Sequence, residues 1–410
     1  MKTIIENANW SIPSLIENKN YKFNKEKILT SLPGKFIDEA IQSISKWKTY
    51  APTPLYKLNK LNEELGFKEI YYKDEDKRFN LKSFKALGGA FAVNKIADEK
   101  SNVTVATATA GNHGRSVAWG AQRLGLKCKI FISGNVSESR AIAMKNLDAE
   151  VIRVKGNYDD SLKECIKQSQ KNNWEIVQDV SWKNYEKTPQ LIMAGYTIMI
   201  KEIFDQIEND SITHVFLQAG VGGMAAAMIA GFAKFSTNIP KFIIVEPENA
   251  NCVFKSIENN KPTRVNITKE TIMGGMSCGD VSTVAWKILQ NSTNYCLTIS
   301  DEAISSVVAL LAESLLSDQK IVAGECTAET ISGDNLSDFA GIKKYKYGEI
   351  DADDQVGIVT DMNYKNAKIM NIDTDTINSV IALKKSSSRC LLATFPSTIG
   401  LSFSCITTSS

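Results

Sequence analysis

From about Glu69 the sequence alternates short apolar runs with longer amphipathic segments, and this alternation restricts the fold more than any other feature. Glu69 to Lys73, Val103 to Thr107, Lys129 to Ile132, His214 to Gln218 and Phe242 to Glu246 have the length and apolar density of buried strands. Between them, Ser83 to Ala97, Asn112 to Leu124, Tyr158 to Lys171 and Gly222 to Phe235 carry helical spacing. Repeated strand, helix, strand is the pattern of βαβ units with parallel sheets, so the expected class is α/β. The chain shows no internal repeat and no long linker. After about Asn378 a Ser/Thr/Cys-rich ending without period, including Ser386-Ser387-Ser388, reads as an atypical, disorder-prone tail.

Composition narrows the function. The 410 residues, 43% of them hydrophobic, suffice for two domains sharing an interface. A formal net charge of +2 argues against nucleic acid as a partner and in favour of a small-molecule substrate. No apolar run reaches the roughly 20 residues needed to span a bilayer. The segment Met1 to Pro13 carries Glu6, Asn7 and Asn9 where a signal peptide would be apolar, so a cytoplasmic location without a membrane partner is expected. Eight cysteines without a CxxC pair read as reduced thiols. With only His113 and His214, a multi-histidine metal site is not expected and a Ser-His-Asp triad has few options.

Four segments carry candidate chemistry. In Asn80 to Gly89, Lys85 stands at a helix start among apolar neighbours, where desolvation lowers proton affinity and makes an amine nucleophilic; a solvated lysine fits this segment equally. Thr107 to Gly114 joins a strand to a helix through small residues, offering backbone donors to an anion, although Asn112 also reads as a helix cap and His113 as a packed neighbour. Leu217 to Met224 runs from a strand into a glycine-rich turn and an alanine-rich helix, which lets backbone approach a phosphate closely. It lacks the patterns of a P-loop or a dinucleotide fingerprint, and many such turns are only tight packing. In Ile358-Val359-Thr360 a hydroxyl closes an apolar strand, either as its cap or as a partner for a pyridine nitrogen.

The order of these segments is more specific than any one of them. Pro52-Thr53-Pro54-Leu55, Ser83-Phe84-Lys85, Ala110-Gly111-Asn112-His113-Gly114 and Gly220-Val221-Gly222-Gly223 together resemble the tryptophan-synthase-β-like, fold-type II, pyridoxal-phosphate enzymes. Within that group the chain is most similar to the diaminopropionate ammonia-lyases over about residues 50 to 330. The similarity rests on Arg78-Phe79, Leu87-Gly88-Gly89, Thr107-Ala108-Thr109, Val177-Gln178-Asp179, Gly195-Tyr196, Gln218 to Gly222, Val245-Glu246-Pro247 and Thr271-Ile272-Met273.

The resemblance implies two three-layer α/β/α domains with mostly parallel sheets and pyridoxal 5'-phosphate between them. The large domain would span 40–95 and 196–375, the small one 96–195, leaving 376–410 as the tail. Lys85 would hold the cofactor as a Schiff base. Asn112 would contact its ring hydroxyl, Gly220, Val221, Gly222, Gly223 and Met224 its phosphate, and Thr360 its ring nitrogen. Asp179 would stand at the substrate's amino end, sharing the catalytic role with Lys85. A homodimer is implied on the same ground.

The implied reaction is α,β-elimination on a small amino acid, with 2,3-diaminopropionate giving pyruvate and ammonia. Three departures pull against it. Ala110 replaces a family aspartate, Gly324-Glu325-Cys326-Thr327-Ala328 replaces Gly-Glu-Ser-Gly-Ala, and Thr360-Asp361-Met362-Asn363 lacks a glycine. The Ala110-Gly111-Asn112 turn is that of the serine and threonine dehydratases, which are the alternative. A cofactor-binding protein impaired in catalysis is the second.

Overall fold

The computed structural model describes residues 14–65, 67–109, 111–207, 212–301, 304–324, 356–362 and 391–392. Its strands are β1 (Ser14–Glu17), β2 (Leu55–Lys57), β3 (Phe67–Lys73), β4 (Thr104–Ala108), β5 (Lys127–Ser133), β6 (Glu150–Val154), β7 (Glu175–Ile176), β8 (His214–Gln218), β9 (Lys241–Pro247), β10 (Tyr295–Ile299), β11 (Val356–Met362) and β12 (Leu391–Leu392). Two sheets form. The smaller, ordered β6-β5-β4-β7, is parallel throughout; the larger runs β1-β10-β9-β8-β11-β3-β2, with β12 beside β8. In the larger sheet β10, β9 and β8 are parallel, whereas β1, β11, β3 and β2 join antiparallel.

The helices are α1 (Lys25–Ser31), α2 (Gly34–Ile44), α3 (Asn59–Leu65), α4 (Lys85–Glu99), α5 (Asn112–Arg123), α6 (Glu138–Lys145), α7 (Tyr158–Asn172), α8 (Lys187–Tyr196), α9 (Ile198–Gln206), α10 (Gly223–Phe235), α11 (Cys252–Glu258), α12 (Thr283–Ser292) and α13 (Ile304–Ala312). Alternation of β4 to β6 with α5 and α6, and of β8 to β10 with α10 to α12, realises the α/β class expected from the apolar runs.

Local chemistry accounts for the ends that matter. The chain turns through left-handed backbone at Phe79, Asn80 and Lys82 before α4 begins at Lys85, the Ser83 hydroxyl accepting from the Lys85 N–H at 3.2 Å. Helix α7 starts with a full capping box in which Asn157 and Asp160 satisfy each other's backbone N–H. Helix α10 is buried from Gly223 to Ala233, as suits an all-apolar helix covered on every side.

Helices α4 and α8 meet through glycine. A Cβ on Gly195 would stand 2.7 Å from the Gly88 Cα, and one on Gly88 would stand 2.4 Å from the Ile192 carbonyl oxygen. Both clashes are against backbone, so only glycine permits this approach, which sets the axis of the helix that carries Lys85.

Some expectations fall differently. The N-terminal strand β1 pairs with β10, so the larger sheet draws on residues before 40. Leu391 and Leu392 of the expected tail pair with Val215 and Phe216. Ala110 and residues 325–328 lie outside the described residues, as does the rest of 376–410.

Candidate active site

Strand β7 ends at Ile176, and the next three residues leave the small sheet in an extended path. The Val177 N–H donates to Ala106 O at 2.8 Å, and the Gln178 side chain continues the pairing, accepting from Ala108 N and donating back to Ala108 O. Gln178 also accepts from the Thr107 hydroxyl at 2.9 Å and donates to the Tyr158 hydroxyl at 2.8 Å. With Gln178 pinned, Asp179 emerges beside α4.

There its Oδ2 lies 2.9 Å from the Lys85 Nζ. The same oxygen is 3.8 Å from His113 Nδ1. His113 sits on the first turn of α5, 2% exposed, with Nε2 2.7 Å from the Val177 carbonyl oxygen. Asn112 precedes it, buried, its Oδ1 accepting from Arg115 Nη1 at 3.1 Å.

Burial works against charge on Asp179. The charge of neighbouring Lys85 and its hydrogen bond more than offset it and hold the carboxyl well below the usual range. Burial also pushes His113 below its ordinary pKa despite the Asp179 charge, so at neutral pH the cation facing Asp179 is Lys85. Burial pushes the Cys278 thiol up to about 11, with the Lys85 charge acting against it.

The glycine-rich turn closes the other side. Gly222 has φ +85°, and α10 begins at Gly223 with no side chain capping it, so its first N–H groups lack intrahelical acceptors. A Cβ on Gly220 would crowd the Gly275 carbonyl oxygen at 3.2 Å and Cys278 Sγ at 3.3 Å. A Cβ on Gly223 would meet only the Asp179 carbonyl oxygen at 3.9 Å and Met193 at 4.0 Å.

Asp179 thus adjoins both Lys85 and the turn. Ser181 fixes that relation: its N–H donates to Ser282 Oγ, its own hydroxyl caps Val284 N at 2.8 Å, and Ser282 N donates to Val221 O at 2.9 Å.

The geometry suits a phosphorylated aldehyde. An uncapped helix start behind three glycines suits a phosphate, and a partly exposed amine opposite suits a carbonyl carbon. The sequence matches the family described as pyridoxal-phosphate dependent enzyme over residues 46–347. The chain belongs to that family. As a pyridoxal-phosphate-dependent enzyme it is 34% identical over 335 residues to the diaminopropionate ammonia-lyase of Escherichia coli, covering 77% of this chain and 83% of that one. It is 26% identical over 313 residues to a biosynthetic L-threonine dehydratase of Staphylococcus aureus, covering 74% and 70%. A crystal structure of the Escherichia coli lyase with an aminoacrylate intermediate superposes with TM-score 0.71 at 34% identity, over 78% of this chain and 85% of that one.

Lys85, Asp179, Asn112 and the Gly220 to Met224 turn are brought together. Thr360 is not. Strand β11 runs antiparallel to β8 with Val359 opposite His214, which puts Thr360 at the end of β8 remote from the turn. Sequence reasoning also passed over His113 as a neighbour and missed Cys278, Ser181 and Ser282. The rarity of histidine was the available signal for the first; the others are set by contacts across about a hundred residues of chain.

Proposed function

We propose that this chain eliminates ammonia from 2,3-diaminopropionate, giving pyruvate and ammonia. The observation that carries the reading is the Lys85 Nζ to Asp179 Oδ2 contact of 2.9 Å beside the glycine-rich turn, in a chain 34% identical to a diaminopropionate ammonia-lyase. When bound, pyridoxal phosphate supplies the electron sink that acidifies the substrate α-carbon.

The protein's own groups do the rest. Backbone donors of the Gly220 to Met224 turn hold the phosphate, and Asn112 orients the ring. Lys85, once displaced by the substrate amine, takes the α-proton at Nζ. The Asp179 carboxylate attracts a cationic amino group, and a proton delivered there lets the β-nitrogen leave as neutral ammonia. A hydroxyl-bearing substrate offers that carboxylate no charge, which favours diaminopropionate over serine or threonine. With Ala110 in place of a second acid, Lys85 serves one face of the substrate and the L form is preferred.

We further infer a homodimer in the cytoplasm, and a division into a large unit of 40–95 with 196–375 and a small unit of 96–195. The separation of the two sheets supports that division. Among the described residues no helix is long and apolar enough to cross a membrane.

Purified protein given D- and L-diaminopropionate, serine and threonine, with pyruvate, 2-oxobutyrate and ammonia measured, tests the substrate. Two ammonia per pyruvate from the L form is expected. Faster release of 2-oxobutyrate from threonine would make the chain a dehydratase.

A further inference from the structure

Helix α5 turns one face toward the helix that carries Lys85. Ser116 Oγ donates to the Lys85 carbonyl oxygen at 2.6 Å, a Cβ on Gly89 would run into that same Oγ, and one on Gly120 would stand 2.7 Å from the Ala90 Cα. The two helices therefore run in the same direction across this contact. Asn112, Ser116 and Gly120 recur every four residues and share the contact face. One turn back from Ser116, Asn112 lies beyond the first turn of α4, the end toward which the Lys85 side chain also leans.

Arg115 settles which way the Asn112 amide faces. Its Nη1 donates to Asn112 Oδ1 at 3.1 Å from three residues along the same helix. A guanidinium carries donors and no acceptor, so the amide oxygen faces it and the NH2 faces away. The positive charge also draws electron density from the amide and makes its N–H groups stronger donors.

Resting on the reading that Lys85 binds pyridoxal phosphate and Asn112 meets its ring hydroxyl, we propose that Arg115 is a positioning residue: it locks the Asn112 amide with its NH2 toward that oxygen and strengthens the donation. A flipped amide would set oxygen against oxygen. In pyridoxal phosphate the hydroxyl adjoins the aldehyde on the ring, so once Lys85 is joined there the ring oxygen and Lys85 Nζ share one proton. A donor on the oxygen favours its anionic form and leaves the proton on nitrogen, the state that absorbs in the visible. With the proton on oxygen, absorption moves to the near ultraviolet. Asp179, 2.9 Å from Lys85 Nζ, also favours the proton on nitrogen and is the same in every variant below.

The ratio of the two bands at neutral pH reads the donor without reference to turnover. In Arg115→Met the visible band should lose about tenfold against the near-ultraviolet band, the effect of one hydrogen bond to a charged oxygen. Arg115→Lys keeps a charged donor and should restore most of the visible band. In an Asn112→Ala background, Arg115→Met should change the ratio no further, because its effect passes through the amide.

An unmoved ratio in Arg115→Met, where Asn112→Ala does move it, would overturn the proposal and leave Arg115 a packing residue. An equal shift in the Asn112→Ala background would overturn it too, since the charge would then act on the cofactor directly. If Arg115→Met does not fold, Arg115→Gln decides. Neutral but still a donor, it should shift the ratio the same way by roughly threefold, and an unmoved ratio would refute the proposal. The underlying reading fails by different signs: a wild-type ratio in Asn112→Ala, or borohydride-fixed cofactor retained in Lys85→Ala.

Discussion

Two clusters of opposite charge stand close together in the chain and behave oppositely. In the first, Arg78 donates through Nε and Nη2 to Glu75 and through Nη1 and Nη2 to Glu202, while Lys73 Nζ meets Glu202 at 2.7 Å and the Thr53 carbonyl at 2.7 Å. All four charged side chains are essentially inaccessible to water. In the second, Lys85 and Asp179 are 24% and 16% exposed, and His113 Nδ1 beside them has no hydrogen-bond partner. The ingredients are alike, but one set is fully partnered and the other leaves His113 Nδ1 without a partner. A complete buried network fixes geometry. An incomplete one with partly exposed charges leaves groups for a ligand to engage.

Completeness has an energetic consequence that mutation can read. Arg78→Met strands Glu75 and Glu202 with Lys73 alone, and should cost about 3–5 kcal/mol of stability in denaturant titration. Asp179→Asn removes charge from a pair that keeps some access to water and should cost less, about 1–2 kcal/mol, while lowering turnover about 10²- to 10⁴-fold. Equal stability losses in the two variants would erase the distinction.

The other histidine gives a pH contrast. His214 is buried with Nε2 unpartnered, and burial with the Lys241 charge pushes its pKa down to about 3. Between pH 6.5 and 3 the unfolded chain binds a proton there that the folded chain refuses, so stability must fall as pH drops through that window. At about 1.4 kcal/mol per unit the loss amounts to a few kcal/mol, and His214→Asn should flatten that part of a stability-against-pH curve. An unchanged slope would place the acid sensitivity elsewhere.

The smallest effect separates two adjacent glycines. Gly222, at φ +85° and with Leu289 Cδ1 2.7 Å from an added Cβ, should lose about 1–2 kcal/mol on change to alanine. Gly223 has room for the methyl, which would then occupy the cradle. Gly223→Ala should therefore keep stability and weaken cofactor affinity, as equilibrium binding would show. Full affinity in Gly223→Ala would remove the turn from the site.

These contrasts also explain what the sequence reveals by inspection. His214 to Gln218 is a strand at its expected limits, and Asn112 and the Gly222-Gly223 pair open helices as read, because period and turn chemistry are local. The partner of Arg78 is 124 residues away at Glu202, and that of Ser181 is 101 away at Ser282. No spacing rule announces such pairs, since they are set by how segments far apart in sequence pack together. Thr360 is governed in the same way: a hydroxyl at a strand end is visible, but which end of the sheet it reaches depends on strand direction. His113 was visible, and its unpartnered Nδ1 was not.

The central claim is that Lys85 carries the cofactor. Reduction of the cofactor-loaded protein with borohydride, followed by peptide mapping, fixes the attachment point. The account predicts a pyridoxyl label on Lys85 and none in Lys85→Ala. A label on Lys82, three residues earlier, would contradict it.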